Sequence, residues 1–245
     1  MAVETADSPN GFRLIVWFFR SSVGAKVLMA LTGLLMWGFL IGHLLGNLQV
    51  FLPAAEGGYL GQQMNDYAYF LKTTPSLLWG TRVALLLSIV LHAAFGIRLS
   101  RLNRAARGRS YDRWTPRAST VASRYMVLSG LIIFSFVVFH LAHFTLGYVD
   151  PAGFAVKDQA GHHDVYGMMW AAFRHPGIVV FYVVGMALLF MHLFHGSVSL
   201  FQSVGLRSTA WTPVIALVAK AIVFGLLVGF AAIPTVIFVS WQMYR

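Results

Sequence analysis

The feature that most constrains this chain is a series of five apolar runs, at about 25–52, 76–100, 122–149, 176–203 and 211–241. Each is near or above the roughly 20 residues that a helix needs to cross a bilayer. At that depth every backbone N–H and C=O needs a partner inside the protein, and the runs are continuous rather than alternating, which excludes a barrel or an open sheet. The predicted fold class is all-α, an integral membrane helical bundle with five transmembrane helices. The composition agrees, with 58% hydrophobic and 11% charged residues over 245 positions, and soluble classes drop out. Residues 1–24 read as a cytoplasmic N-terminal tail with an interfacial helix, because Trp17, Phe18 and Phe19 lie between Arg13 and Arg20. Residues 25–245 read as one five-helix membrane domain, with no evident internal repeat.

There is no cysteine, so thiolate-held haem, iron-sulfur clusters and disulfides are excluded within this chain. The net charge of +10 is concentrated between the second and third runs, at Arg101, Arg104, Arg107, Arg109, Arg113 and Arg117, flanked by Arg98 and Arg124. The opposite-side connections hold little beyond Lys72, Arg82, Lys157 and Arg174. This asymmetry is a topology signal rather than a nucleic-acid patch: it predicts a cytoplasmic Arg-rich loop, a cytoplasmic N-terminus and Arg207 loop, and Arg245 outside.

Ionisable side chains inside such runs are costly and mark functional sites. His43 lies 17 residues beyond Lys26 and His140 lies 16 beyond Arg124. Both therefore reach the outer half of spans that start inside, roughly 25 Å in at the rise of a helix. His92 precedes Arg98 by six residues, and His192 is 16 residues into a span that enters from outside at Pro176, which sets both on the inner side. Four antiparallel spans thus present one histidine pair near each face, roughly 15 Å apart along the membrane normal. Two bis-histidine b haems, each iron bridging two helices, require that arrangement. His143 and His195 follow His140 and His192 by three residues and share their helix faces, so either member of each couple is open as ligand. All eight acids, Glu4, Asp7, Glu56, Asp66, Asp112, Asp150, Asp158 and Asp164, fall outside the apolar cores, which disfavours a proton relay. Gly46, Gly96 and Gly196 are candidates for packing against a flat macrocycle. Lys26, Arg98, Arg101 and Lys220 are candidates for its propionates.

These residues resemble a known family. GHLLGN at 42–47, LHAAFGIRL at 91–99, SGLIIFSFVVFHL at 129–141 and HLFHGSVSLFQSVG at 192–205, the last preceded by VYGMMWAAFRHP, are similar to the five-helix dihaem cytochrome b membrane anchor of succinate:quinone oxidoreductases, the succinate dehydrogenase and fumarate reductase group. The resemblance implies His92 with His192 for the inner haem and His43 with His140 for the outer one. It leaves His143 and His195 as alternatives or neighbours. It also implies two haem b, a flavoprotein and an iron-sulfur subunit on the cytoplasmic face, and no succinate chemistry in this chain alone. A membrane quinone, menaquinone first and ubiquinone otherwise, is the implied electron partner. The implied location is a bacterial cytoplasmic (inner) membrane. Some relatives carry a glutamate two residues before the fourth-span ligand; here that position is Phe190. The family places quinone near the outer haem, where Glu56, Asp66 and Tyr67 are the quinone candidates, with Asn65 beside them and His162, His163 and His175 on the same face. Two rival expectations are the dihaem anchor of another quinone-linked oxidoreductase and a histidine-relay transporter or proton channel.

Overall fold

One serine and one glycine set the first corner of the chain. In the computed structural model, which describes residues 10–106, 125–203, 205–206 and 208–243, helix α1 (Gly11–Arg20) stops at Ser21, where the backbone becomes extended. The Ser21 hydroxyl accepts from Gly24 N at 2.9 Å and donates to Phe18 O at 2.9 Å, starting α2 (Ser22–Leu48) at once. A Cβ at position 24 would fall 1.9 Å from Phe18 O, so only glycine permits this approach. The last carbonyls of α1 would otherwise lack partners. Arg98, from the helix α4 (Pro75–Ala105), donates to Phe19 O at 2.7 Å and to Arg20 O. A helix therefore forms where the interfacial one was expected, and it is tied to α4.

The other spans are α5 (Met126–Phe144), α8 (Pro176–Ser203) and α9 (Thr212–Met243), so five helices are long and apolar enough to cross a membrane. The chain is an all-α multi-pass bundle, with no strand among the described residues. The third span is shorter than the apolar run 122–149: its helix ends at Phe144, and Gly147, at φ +71°, turns the chain away. The first span closes with a short 3-10 turn at Gln49–Phe51. The tail 1–9 and the segment 107–124, which holds Arg107, Arg109, Arg113, Arg117 and Arg124, lie outside the described residues. So do Arg207 and Arg245.

Helix α2 packs on α4 and α8, and α5 packs on the same two helices. The four form a square in which α2 faces α5 and α4 faces α8 across the diagonals. Helix α9 lies outside it against α8 and α2. Small residues let the helices close: Gly185 receives the Phe136 ring and Gly229 receives Leu44. Leu86, Leu87, Val90, Leu217 and Phe224 face outward and are more than half exposed, as a lipid-facing surface requires.

The end of the bundle away from α1 is covered by three short helices within the connections between spans. They are α3 (Gln62–Thr73), α6 (Pro151–Phe154) and α7 (Val165–Phe173). Asp150 and Asp164 cap α6 and α7 by accepting from Gly153 N at 3.0 Å and Gly167 N at 2.8 Å. Asn65 of α3 is 1% exposed and joins the layer together, donating to Asp164 Oδ1 at 2.9 Å and accepting from Tyr166 N at 3.1 Å. Met64, Met169, Phe173 and Val179 then merge with Leu44, Phe136, Tyr182, Leu226, Ile233 and Ile237 into one core. Replacing Asn65 by alanine strands the Tyr166 amide and one Asp164 lone pair, for an expected loss of about 1–3 kcal/mol. Thermal unfolding in detergent, followed by circular dichroism, measures it. An unchanged melting temperature would show that the cap contributes nothing to holding the bundle.

Candidate functional site

The diagonals of the square carry the histidines. His92 on α4 and His192 on α8 face each other with ring centres 6.4 Å apart and planes inclined at 59°. His43 on α2 and His140 on α5 do the same on the other diagonal, at 5.9 Å and 87°. The structure thus brings together the two pairs that depth along the helices predicts. Within the two couples that helix periodicity leaves open, the rings of His140 and His192 meet the opposite histidine.

The pair nearer α1 is held by polar groups from the neighbouring helices. His92 Nδ1 lies 3.1 Å from Met29 O and 3.3 Å from Thr32 Oγ1, both on α2. His192 Nδ1 lies 3.1 Å from Ser129 Oγ on α5. Two glycines pass beside the rings: a Cβ at Gly33 would sit 3.3 Å from His92 Cε1, and one at Gly130 would sit 3.5 Å from His192 Cε1.

The pair at the capped end is walled by aromatics instead. Phe39 stacks on His43 at 5.2 Å, with Phe230 at 5.8 Å, while Phe136 and Phe144 flank His140 at 6.3 and 5.6 Å. Asn47 Nδ2 donates to His43 O at 2.7 Å and lies 3.4 Å from both ring nitrogens. His143 is 3% exposed and bonds the fourth span, its Nδ1 3.1 Å from the Tyr182 hydroxyl, which is also 3.5 Å from His140 Nδ1. His195 is half-buried one turn after His192.

Other expected residues lie in different surroundings. Gly46 is buried against Tyr67, whose ring would come within 2.7 Å of a Cβ there, so that glycine accommodates a protein side chain. A Cβ at Gly96 would meet Met29 Sδ at 3.7 Å, and one at Gly196 would meet nothing within 4 Å. Arg98 holds the α1 carbonyls, so its guanidinium is committed away from the bundle centre. Lys26 is exposed at the start of α2. Arg101, with Arg104, lines a groove of about 180 Å³ between the ends of α4 and α5. Lys220 Nζ sits over the Phe194 ring at 5.2 Å. Phe190 lines a small apolar hollow with Leu40 and Phe230. Glu56 and Asp66 are exposed on the capped end, and the half-exposed Tyr67 reaches back to the first span three residues from His43.

The sequence reading missed the residues that hold the rings, Thr32, Ser129 and Tyr182. The signal was present as a repeat. Thr32-Gly33 precedes His43 as Ser129-Gly130 precedes His140, at identical spacing, and a glycine follows both His92 and His192 by four residues. A repeat therefore exists where none was expected.

The capped end has its own electrostatics. The Tyr59 hydroxyl donates to Asp158 Oδ2 at 2.9 Å, and the amides of His162 and Ala160 donate to Oδ1 at 2.8 and 2.9 Å. Slight burial pushes the Asp158 carboxyl up, but these donors outweigh it and hold it below the usual carboxylate range. Its contribution to stability is present above the unfolded value of about 3.9 and is lost as pH falls through the lower folded value. Tyr59→Phe removes one donor and is expected to move the Asp158 titration upward, as followed by carboxylate infrared or NMR shifts. An unmoved titration would show that the amides alone set it.

Compared with known proteins, the chain matches no family model, no curated protein and no solved structure.

Proposed function

We propose that this chain is the membrane anchor and electron-transfer subunit of a succinate dehydrogenase or fumarate reductase, carrying two b haems and linking an iron-sulfur subunit to a membrane quinone. One observation carries the reading: four histidines on four helices meet as two diagonal pairs with ring centres 5.9 and 6.4 Å apart. An iron about 2 Å from one nitrogen of each imidazole would hold the ring centres about 6 Å apart, so His92 with His192 and His43 with His140 have the spacing to hold one haem each. The carbonyl of Met29 can only accept, so His92 Nδ1 carries the hydrogen and its Nε2 is a bare donor for a metal. Haem b at such a site supplies one-electron transfer without bond making.

The protein's own part is to hold, orient and dry the site. His92 and His192 are the proposed inner ligands and His43 and His140 the outer ones, while His143 braces Tyr182. Phe39, Phe136, Phe144 and Phe230 keep water from the outer pair. In this reading the α1 end is cytoplasmic, in a bacterial inner membrane. The flavoprotein and iron-sulfur subunits dock there, with Lys26 and Arg101 available to propionates or to an acidic partner. Quinone is proposed at the capped end, near Tyr67 and Asp66.

A second reading has one observation in its favour. The His143, Tyr182 and His140 chain could carry protons, as in a histidine-relay transporter or channel. It predicts a colourless protein. Purification with co-purifying subunits, followed by haem assay and a dithionite-reduced spectrum, separates the two; about two haem b per chain, reducible by succinate, is the expected result. His43→Ala and His140→Ala are expected to lose one and the same haem, and His92→Ala and His192→Ala the other, while His143→Ala and His195→Ala keep both. A single haem in an intact preparation, or loss in His195→Ala with retention in His192→Ala, would overturn the assignment.

A further inference from the structure

We infer that Thr32 and Ser129 are positioning residues that fix the tautomer and aim of the inner histidines, through hydroxyl groups whose own hydrogens are committed elsewhere. The inference rests on the dihaem reading and adds to it the groups that set the electronic character of the inner ligands.

A hydroxyl has one hydrogen to give and lone pairs to receive. Thr32 Oγ1 lies 2.8 Å from Leu28 O and 3.1 Å from Met29 O of its own helix, and Ser129 Oγ lies 3.0 Å from Met126 O. Carbonyl oxygens only accept, so each hydroxyl donates back to its own helix, a common bond for Ser and Thr within helices. What each then offers its histidine is a lone pair. In that arrangement the nitrogens facing them, His92 Nδ1 at 3.3 Å and His192 Nδ1 at 3.1 Å, carry the hydrogen. For His92 this is independently required by Met29 O at 3.1 Å. Both inner histidines therefore have hydrogen-free Nε2 atoms, the protonation state a metal ligand needs.

The placement is repeated in the sequence. The hydroxyl residue, the glycine beside it and the outer histidine recur as Thr32, Gly33, His43 and as Ser129, Gly130, His140. Each of these helices thus supplies an outer ligand from one end and a hydrogen-bond acceptor with a ring-width gap from the other. The histidine it supports belongs to the adjacent antiparallel helix. Gly33 and Gly130 let the supported ring lie flat beside the hydroxyl, since their would-be Cβ atoms come within 3.3 and 3.5 Å of His92 and His192 Cε1.

The two sites differ in a way that sharpens the test. His92 keeps Met29 O if Thr32 is removed, whereas among the described residues His192 Nδ1 has Ser129 Oγ. An acceptor on Nδ1–H makes the imidazole a stronger electron donor and favours the oxidised iron, so its removal raises the inner potential. The experiment is a redox titration of the co-purified complex with electron paramagnetic resonance of the low-spin signals. The inner signal is identified as the one absent in His92→Ala. Ser129→Ala is expected to shift the inner oxidised-to-reduced equilibrium about tenfold, which is about 59 mV for one electron, toward the reduced form. The outer signal stays in place. Ser129→Thr restores the wild-type value, and Thr32→Ala shifts it by less than Ser129→Ala. If Ser129→Ala instead loses the inner haem, retention in Ser129→Thr supports the inference and loss in both overturns it. An inner potential unchanged in Ser129→Ala, or shifted equally in Ser129→Thr, also overturns it while the dihaem reading stands. A wild-type complex without b haem removes both.

Discussion

A polar ring in hydrocarbon needs a partner for its hydrogen, and the bundle is arranged around meeting that need four times. Neighbouring spans in an up-and-down four-helix square run antiparallel, so helices on a diagonal run parallel. Residues equally far along two such parallel helices reach the same depth and can meet across the diagonal. His43 and His140 meet this way on α2 and α5, and His92 and His192 on α4 and α8. The same geometry brings the hydrogen-bond acceptors from the sides, because each histidine's adjacent helix passes it at a different distance from its own end. Thr32 serves His92 and Ser129 serves His192 for this reason, while Tyr182 on α8 serves His143 and His140 on α5. Changing the order of spans around the square would separate each ring from its partner.

Much of this was readable from the chain because bilayer thickness converts residue count into depth. Five apolar runs gave five helices to within a few residues at most ends, and the rise per residue matched histidines whose rings lie close to one another in the structure. What spacing could not deliver was the polar detail. Arg98 looked free to meet an anion, yet the carbonyls it meets belong to α1, 78 or more positions earlier in sequence. Gly46 looked like space for a macrocycle, but Tyr67 enters from a connection whose path depends on tertiary packing. The third span fell short of its apolar run because hydrophobicity continues through Val149 while the backbone turns at Gly147.

The short helices of the cap were missed for a different reason. Each is under 13 residues long and lacks the apolar periodicity of a soluble helix, so pattern reading treats the segment as loop. Their caps were nonetheless present as Asp150 followed by Pro151, and as Asp164 three residues before Gly167. Asn65 carries no sequence signal at all. It is an ordinary polar residue until α3 folds over α7 and leaves it 1% exposed between Asp164 and the Tyr166 amide.

The two ends of the bundle consequently hold their histidines by different means. At the capped end the surroundings are aromatic and continuous with the main apolar core, which reaches from Leu44 through Phe136 and Tyr182 to Ile237. Near α1 the rings rest against a carbonyl, two back-bonded hydroxyls and two glycines. For a pair of identical cofactors these are opposite levers. Apolar burial disfavours the extra positive charge of the oxidised iron, whereas acceptors on Nδ1–H favour it. On the proposed reading, these surroundings, with the Tyr182 hydroxyl beside His140, are the means by which the protein would tune two identical cofactors separately.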